Sequence, residues 1–164
     1  MKIEFGGGDK PRKPTYTQVD IRKLDKSTLG CNSWEIQQHV NPNSVTDIYS
    51  RHFFEHLTYA QAQRTLGAWH SICAPGARII LICPNMAFHV DQWNNWDNLS
   101  GREKNHCRAG FWGWQRQGDK HSWDLHKCGY DFPKLKELLL EYHFKDIKLA
   151  SPPSSQHLSV EFYK

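Results

Sequence analysis

The segment Lys2-Ile3-Glu4-Phe5 reads as a strand that runs straight into Gly6-Gly7-Gly8. A second strand-like run, Tyr16-Thr17-Gln18-Val19, ends on Asp20. Glycines at a strand exit leave no Cβ to hold a ligand off the backbone and adopt positive φ at little cost. An acid ending the next strand accepts hydrogen bonds from the hydroxyl pair of a ribose. Together they point to a nucleoside-containing cofactor near the N-terminus. A second group, His52, Glu55 and His56, follows the strand-like run Ser44-Val45-Thr46-Asp47-Ile48-Tyr49-Ser50. In an α/β sheet the carboxyl end of a strand borders the ligand crevice, and imidazole titrates near neutrality. His52 and His56 are therefore candidates for a general base, although Glu55-His56-Leu57 also reads as a helix start.

Further along, Asn85, His89 and Asp91 follow an apolar run and would border the same crevice, which His126 and Tyr130 would enter from beyond the next segment. His106, Cys107, His121, His126 and Cys128 raise the question of a metal. Their spacing matches neither a C-x-x-C pair nor H-E-x-x-H, and no residue is assigned to a metal.

The elements that position these residues follow from periodicity. Thr58 with Gln61 fits a capping box, and Tyr59, Ala62, Leu66, Trp69 and Cys73 recur at helical spacing. Ala74-Pro75-Gly76 stops that helix, and Ala77 to Cys83 reads as a strand apolar on both faces. Ser33 to Ile36 reads as a further short strand. From Met86 to Tyr130 no period is sustained, so an irregular Trp-rich insert is expected there. Leu135, Leu138, Leu139 and Tyr142 mark a late helix. Ile147 to Ala150 and Leu158 to Tyr163 read as two closing strands that could pair antiparallel at or near a sheet edge. The whole predicts one α/β domain over residues 1–164.

The first connection separates cofactors. Gly6 to Thr15 spans at most ~33 Å, enough to return along a short strand and begin a parallel neighbour. It cannot also hold a three-turn helix, and Pro11 and Pro14 discourage one. Dinucleotide sites place a pyrophosphate on that helix, so NAD and FAD are disfavoured. A cofactor with a ribose and no phosphate, such as S-adenosylmethionine, fits better.

The residues resemble those of class I S-adenosylmethionine-dependent methyltransferases. Ile3-Glu4-Phe5-Gly6-Gly7-Gly8 is similar to their first motif and Asp20 to the acid after their second strand. Residues 44–57, ending in Glu55-His56-Leu57, are similar to their fourth-strand motif. Ala74-Pro75-Gly76 with Arg78 to Asn85 resembles their proline-glycine turn and fifth strand, and residues 126–147 resemble their late helix and sixth strand. The chain departs from the pattern at Lys10, where a third glycine is usual, at Gln37-Gln38-His39, where an acid often follows the third strand, and at His143.

The resemblance implies a Rossmann-like fold: a mostly parallel twisted sheet with helices on both faces and a C-terminal antiparallel strand. It implies S-adenosylmethionine as cofactor, with S-adenosylhomocysteine as product. The cofactor would be held by Glu4, Gly6, Gly7, Gly8, Asp20, Ile21, Gln38, His39, Ser50 and His52. Gly6 and Gly8 would meet its methionine part, Glu4 would act below the turn, and Asp20 would take the ribose. Ile21 or Arg22 would cover the adenine edge. His52, His56, His89 and His126 are the catalytic candidates. The implied activity is methyl transfer to a small-molecule or sugar-like acceptor. The alternatives are a catalytically inactive cofactor-binding or interaction module, or a methyltransferase of nucleic acid or protein.

Composition bounds the partners. The 164 residues carry a net charge of +4, with Lys10, Arg12 and Lys13 as the only tight basic cluster. That lacks the dense basic stripe of a dedicated nucleic-acid binder. Seven tryptophans, five of them between Trp93 and Trp123, would form an acceptor lid, a satellite cluster or a homodimer surface. The five cysteines form no C-x-x-C pair, no apolar stretch approaches membrane-spanning length and no signal peptide is evident. A cytoplasmic location is expected.

Overall fold

A computed structural model describes residues 1–22, 28–115, 124–150 and 155–164. Seven strands form one sheet: β1 (Lys2–Phe5), β2 (Thr17–Asp20), β3 (Thr28–Gly30), β4 (Val45–Arg51), β5 (Cys73–Pro84), β6 (Lys145–Leu149) and β7 (His157–Tyr163). Their order is β3-β2-β1-β4-β5-β7-β6. Pairing is parallel except at β7, which runs antiparallel to both β5 and β6. The winding reverses between β1 and β4, so their carboxyl ends diverge there and leave a crevice.

Alternation along the strands gives the sheet two unlike faces. Ile3, Phe5, Val19, Ile48, Ile79, Leu81, Val160 and Phe162 share one face and are all buried. Helix α1 (Tyr59–Ile72) covers it through Trp69, whose ring lies 5.0 Å from that of Phe5. Near the late helix α4 (Phe132–Glu141), Phe144 meets Phe162 at the same distance. The opposite face is mixed, with Tyr49, Ile80 and Ile82 beside polar side chains. Lys2, Gln18, Asp47, Arg78, Glu161 and Lys148 stand on it. Arg78, Lys148 and Tyr163 all converge on the Glu161 carboxylate, the nearest of them at 2.5 Å.

Part of this face lies under the connection from β1 to β2. Glu4 is 1% exposed, and its two carboxylate oxygens accept the backbone N–H of Arg12 (2.8 Å) and of Lys13 (2.7 Å). Gln18 holds the same loop by donating to the carbonyls of Lys13 and Tyr16. No helix forms in this connection, as its length dictated.

Three segments differ from expectation. The third strand is Thr28–Gly30, too short to give a readable alternation. Ser33–Gln38 is a 3-10 helix rather than a strand. Ser33 and Ile36, one 3-10 turn apart, are both buried, and Ser33 Oγ lies 2.7 Å from Thr65 Oγ1 of α1. The region expected to be irregular contains α2 (Met86–Asn94) and α3 (Gly101–Trp112). α3 buries only Cys107, Ala109 and Gly110 among its residues, so no apolar stripe announces it. Ser100 and Glu103 nevertheless close a capping box at its start.

Candidate functional site

At the divergence of β1 and β4 lies a cavity of about 420 Å³. Gly6 enters it from the end of β1, Asp20 to Arg22 from β2, and Asn32 to Trp34 from the 3-10 helix. His52, Phe53, His56 and Leu57 follow β4, Gln61 comes from α1, and Asp124 and Lys127 close the far side.

Local backbone geometry builds this mouth. Gly6 has φ +70°, and a Cβ there would stand 2.6 Å from Phe53 Cβ. Its N–H donates to the Val19 carbonyl at 2.9 Å, which ties the end of β1 to β2. His52 also has positive φ, 49°, an uncommon conformation outside glycine that marks a constrained turn. Asp20 is paired with Arg22, which donates its backbone N–H and Nε to Oδ1 and its Nη2 to Oδ2.

Beside the cavity sits a buried polar group. Glu55, in the 3-10 turn Phe54–His56, is 1% exposed. His52 Nδ1 lies 3.1 Å from its Oε1, and His126 Nε2 lies 4.0 Å from the same oxygen. Burial raises the Glu55 carboxyl, but the His52 hydrogen bond and the charges of His56 and His52 outweigh it. The net result is a pKa below the ordinary value. His56 Nδ1 is 3.0 Å from the Leu125 carbonyl and His126 Nδ1 is 2.9 Å from the Gly110 carbonyl. A carbonyl only accepts, so both histidines carry a proton on Nδ1 and turn the other nitrogen away from it. Burial, opposed by Glu55, lowers the His126 pKa and favours its neutral form.

Of the residues singled out from sequence, Gly6, Asp20, Ile21, His52 and His56 share the cavity wall. His126 stands behind it, its ring centroid 5.0 Å from that of His56. Gly7 packs toward Gln18 and Glu4, and Gly8 toward Arg22. Ser50 is fully buried at the end of β4, and Gln38 and His39 are exposed; none of these lines the cavity. His89 is buried between α2 and α3 beside Gln92 and His106, where burial pushes its pKa down to about 4. Asn85 caps α2, and Tyr130 packs on Phe54. Trp93, Trp96 and Trp112 stack among themselves away from the cavity. Trp123 and His121 lie outside the described residues.

Trp34, Phe53, Gln61, Asp124 and Lys127 line the cavity and were not read from the sequence as site residues. Trp34 came from a segment taken for a strand. The Thr58–Gln61 capping box was legible, but not that it places Gln61 at the mouth.

The sheet order, the antiparallel β7 and the crevice at the β1–β4 divergence define the fold of S-adenosylmethionine-dependent methyltransferases. Solved structures with this fold include a SAM-dependent methyltransferase from Archaeoglobus fulgidus (TM-score 0.67, 14% identity, 99% of this chain and 85% of that one). Burkholderia thailandensis 1,6-didemethyltoxoflavin-N1-methyltransferase, solved with 1,6-didemethyltoxoflavin and S-adenosylhomocysteine bound, is another (0.58, 12%, 99% and 70%). Human N-acetylserotonin methyltransferase, in complex with SAM, is a third (0.59, 11%, 99% and 47%). The chain thus spans from about half to most of these neighbours' length. No family model and no curated sequence matches the chain.

Proposed function

We propose that the chain transfers a methyl group from S-adenosylmethionine to a small-molecule or sugar-like acceptor. The carrying observation is the cavity at the sheet reversal, walled by a positive-φ Gly6 and by the Asp20 carboxylate, with no phosphate-binding helix after β1. Asp20 supplies acceptors for a ribose diol, and Trp34 and Ile21 offer apolar surface to the adenine. Gly6 lets the chain approach the methionine end. The cavity is within the ordinary range for small-ligand sites, roughly 300–1,000 Å³.

Methyl transfer is an in-line displacement. The acceptor lone pair forms a bond to the methyl carbon, the carbon–sulfur bond breaks, and the sulfonium leaves as a neutral thioether. The protein's task is to align the two and to exclude water. A hydroxyl acceptor also loses a proton. His52 is placed to take it: Nδ1–H donates to Glu55, which leaves the Nε2 lone pair as the base. His56 lies on the same wall. His89 takes no part in this reading, because it is buried between helices away from the cavity.

Calorimetry with S-adenosylhomocysteine tests the reading, with one-to-one binding expected and Asp20→Ala expected to weaken it. No binding at millimolar ligand would sink it. The departures at Lys10 and at Gln37-Gln38-His39 leave a second reading, a cofactor-binding module without activity. Binding with no turnover across an acceptor panel would support that one.

A further inference from the structure

We propose that Glu55, His56 and His126 bind a divalent transition-metal ion in the wall of this cavity, and that the ion holds the acceptor through an oxygen. The first clause stands on the side chains alone; the second rests on the methyl-transfer reading.

One ligand atom from each of the three residues lies within 4.8 Å of the other two. Three ligand atoms around one ion, at bonds of about 2.0–2.2 Å, stand at most ~3.8 Å from one another. The three therefore close on an ion by drawing in by only a few tenths of an ångström to roughly one ångström. The protons are already arranged for it. Both imidazoles give Nδ1–H to a main-chain carbonyl, Leu125 for His56 and Gly110 for His126. That contact fixes the tautomer and ring orientation of a metal-bound histidine and leaves Nε2 as the donor.

Glu55 supplies the independent observation. Its Oε1 accepts from His52, while its Oε2 is buried and has no hydrogen-bond partner among the described residues. A buried carboxylate oxygen without a partner is costly, more so when ionised. Oε1 is the oxygen 4.0 Å from His126 Nε2, and a cation bound by this carboxylate offsets the cost of burying it with one oxygen unpaired. The two ligand-bearing segments are also fastened together. The N–H groups of Lys127 (2.8 Å) and Cys128 (3.2 Å) both donate to the Glu55 carbonyl. His126 is thereby held against residues far from it in sequence, and no spacing rule would have found the set.

The ligand set names the ion class. Two imidazoles and one carboxylate suit zinc, ferrous iron, cobalt or manganese, whereas magnesium and calcium favour all-oxygen sites. Three protein ligands leave at least one position open. His56 also lines the cavity, so the open position faces the space where the acceptor must sit. A hydroxyl bound there is polarised and loses its proton more readily. The preferred acceptor is thus an alcohol, phenol or vicinal diol, and His52 remains the base that carries the proton away.

The test is a titration of chelator-stripped, folded protein with Co²⁺, read by its visible absorption, and with Zn²⁺, read by calorimetry. One ion per chain is expected, displaced from cobalt by zinc. Glu55→Gln, His56→Ala and His126→Ala are each expected to weaken binding by at least about tenfold, while exposed His39→Ala leaves it unchanged. Far-ultraviolet circular dichroism checks that the variants fold. Should they not fold, a rise in the wild-type melting temperature on one equivalent of Zn²⁺ takes their place. Absence of one-to-one binding of either ion below about 100 μM overturns the site, as does binding indifferent to all three variants. S-adenosylhomocysteine binding is measured on the same stripped protein. Protein that binds the cofactor but takes up neither ion refutes only the metal site, and protein that takes up an ion but does not bind the cofactor refutes only the methyl-transfer reading.

Discussion

Arg22 closes on Asp20 through three donors, its backbone N–H at 3.0 Å, Nε at 3.1 Å and Nη2 at 3.3 Å. The carboxylate that faces the cavity is thus already engaged by the residue two positions beyond it. A ribose diol must share these oxygens or displace the guanidinium. Exposed ion pairs contribute about 0–1 kcal/mol, so displacement is inexpensive. Arg22→Ala is expected to tighten S-adenosylhomocysteine binding by up to about fivefold. Asp20→Ala is expected to weaken it by roughly 10- to 150-fold, the worth of a hydrogen bond to a charged group. Weaker binding by Arg22→Ala in calorimetry would instead place the guanidinium on the cofactor.

Gly6 is the point where backbone conformation and packing coincide. At φ +70° an L side chain costs about 1–2 kcal/mol, and the added Cβ would lie 2.6 Å from Phe53 Cβ, an overlap worth about 1–3 kcal/mol. Gly6→Ala is expected to lower stability by about 2–5 kcal/mol in urea unfolding. The companion variant Gly6→Ala/Phe53→Ala removes the ring contacts at 2.8 and 2.9 Å but keeps the Phe53 Cβ position at 2.6 Å, so it should restore only part of the loss and none of the backbone strain. Full recovery in the double variant would show that conformation plays no part.

The fold was legible wherever burial imposed a period. The strand Ala77 to Cys83, buried inside the sheet, and the Leu135–Leu138–Leu139 face of α4, buried in the core, announce themselves by their apolar pattern. Helices α2 and α3 did not, since they bury few side chains and their caps, Asn85 and Ser100, are the only local signals. The site divides in the same way. Gly6, Asp20 and His52 sit at strand ends, where sequence position dictates placement. Trp34 reaches the cavity from the 3-10 helix and Lys127 from a loop, on paths that depend on contacts distant in sequence, such as Ser33 with Thr65 and the Glu55 carbonyl that holds Lys127.

His52 has a backbone conformation at φ 49° and a Glu55 partner at 3.1 Å, and both aim it. If it is the base, His52→Asn should leave S-adenosylhomocysteine affinity within about twofold and lower kcat by roughly 10²–10⁴, the usual contribution of proton transfer. Glu55→Gln should reproduce much of that loss, because it disturbs the same Nδ1 contact. A change confined to KM would assign His52 to binding instead. The measurement is steady-state turnover once an acceptor is in hand, with cofactor affinity determined separately.

A last expectation concerns acid stability and lies far from the cavity. Glu161 of β7 is held at a pKa of about 2, first by the Arg78 hydrogen bonds, then by Lys148 and Tyr163. An unfolded glutamate titrates near 4.3. Because the folded value is the lower one, the unfolded chain binds the extra proton between these limits, and stability must fall as pH falls across them. The contribution of this network is therefore fully present above about pH 4.3 and is lost as the pH drops toward 2. Glu161→Gln removes the titrating group and leaves Arg78 and Lys148 without their shared partner. It is expected to be less stable than wild type at neutral pH, with a shallower loss below pH 4.5, so that the two curves approach one another near pH 2. Urea unfolding at intervals between pH 2 and 7 measures both. Parallel curves over the whole range would show that the Glu161 network contributes nothing to acid sensitivity.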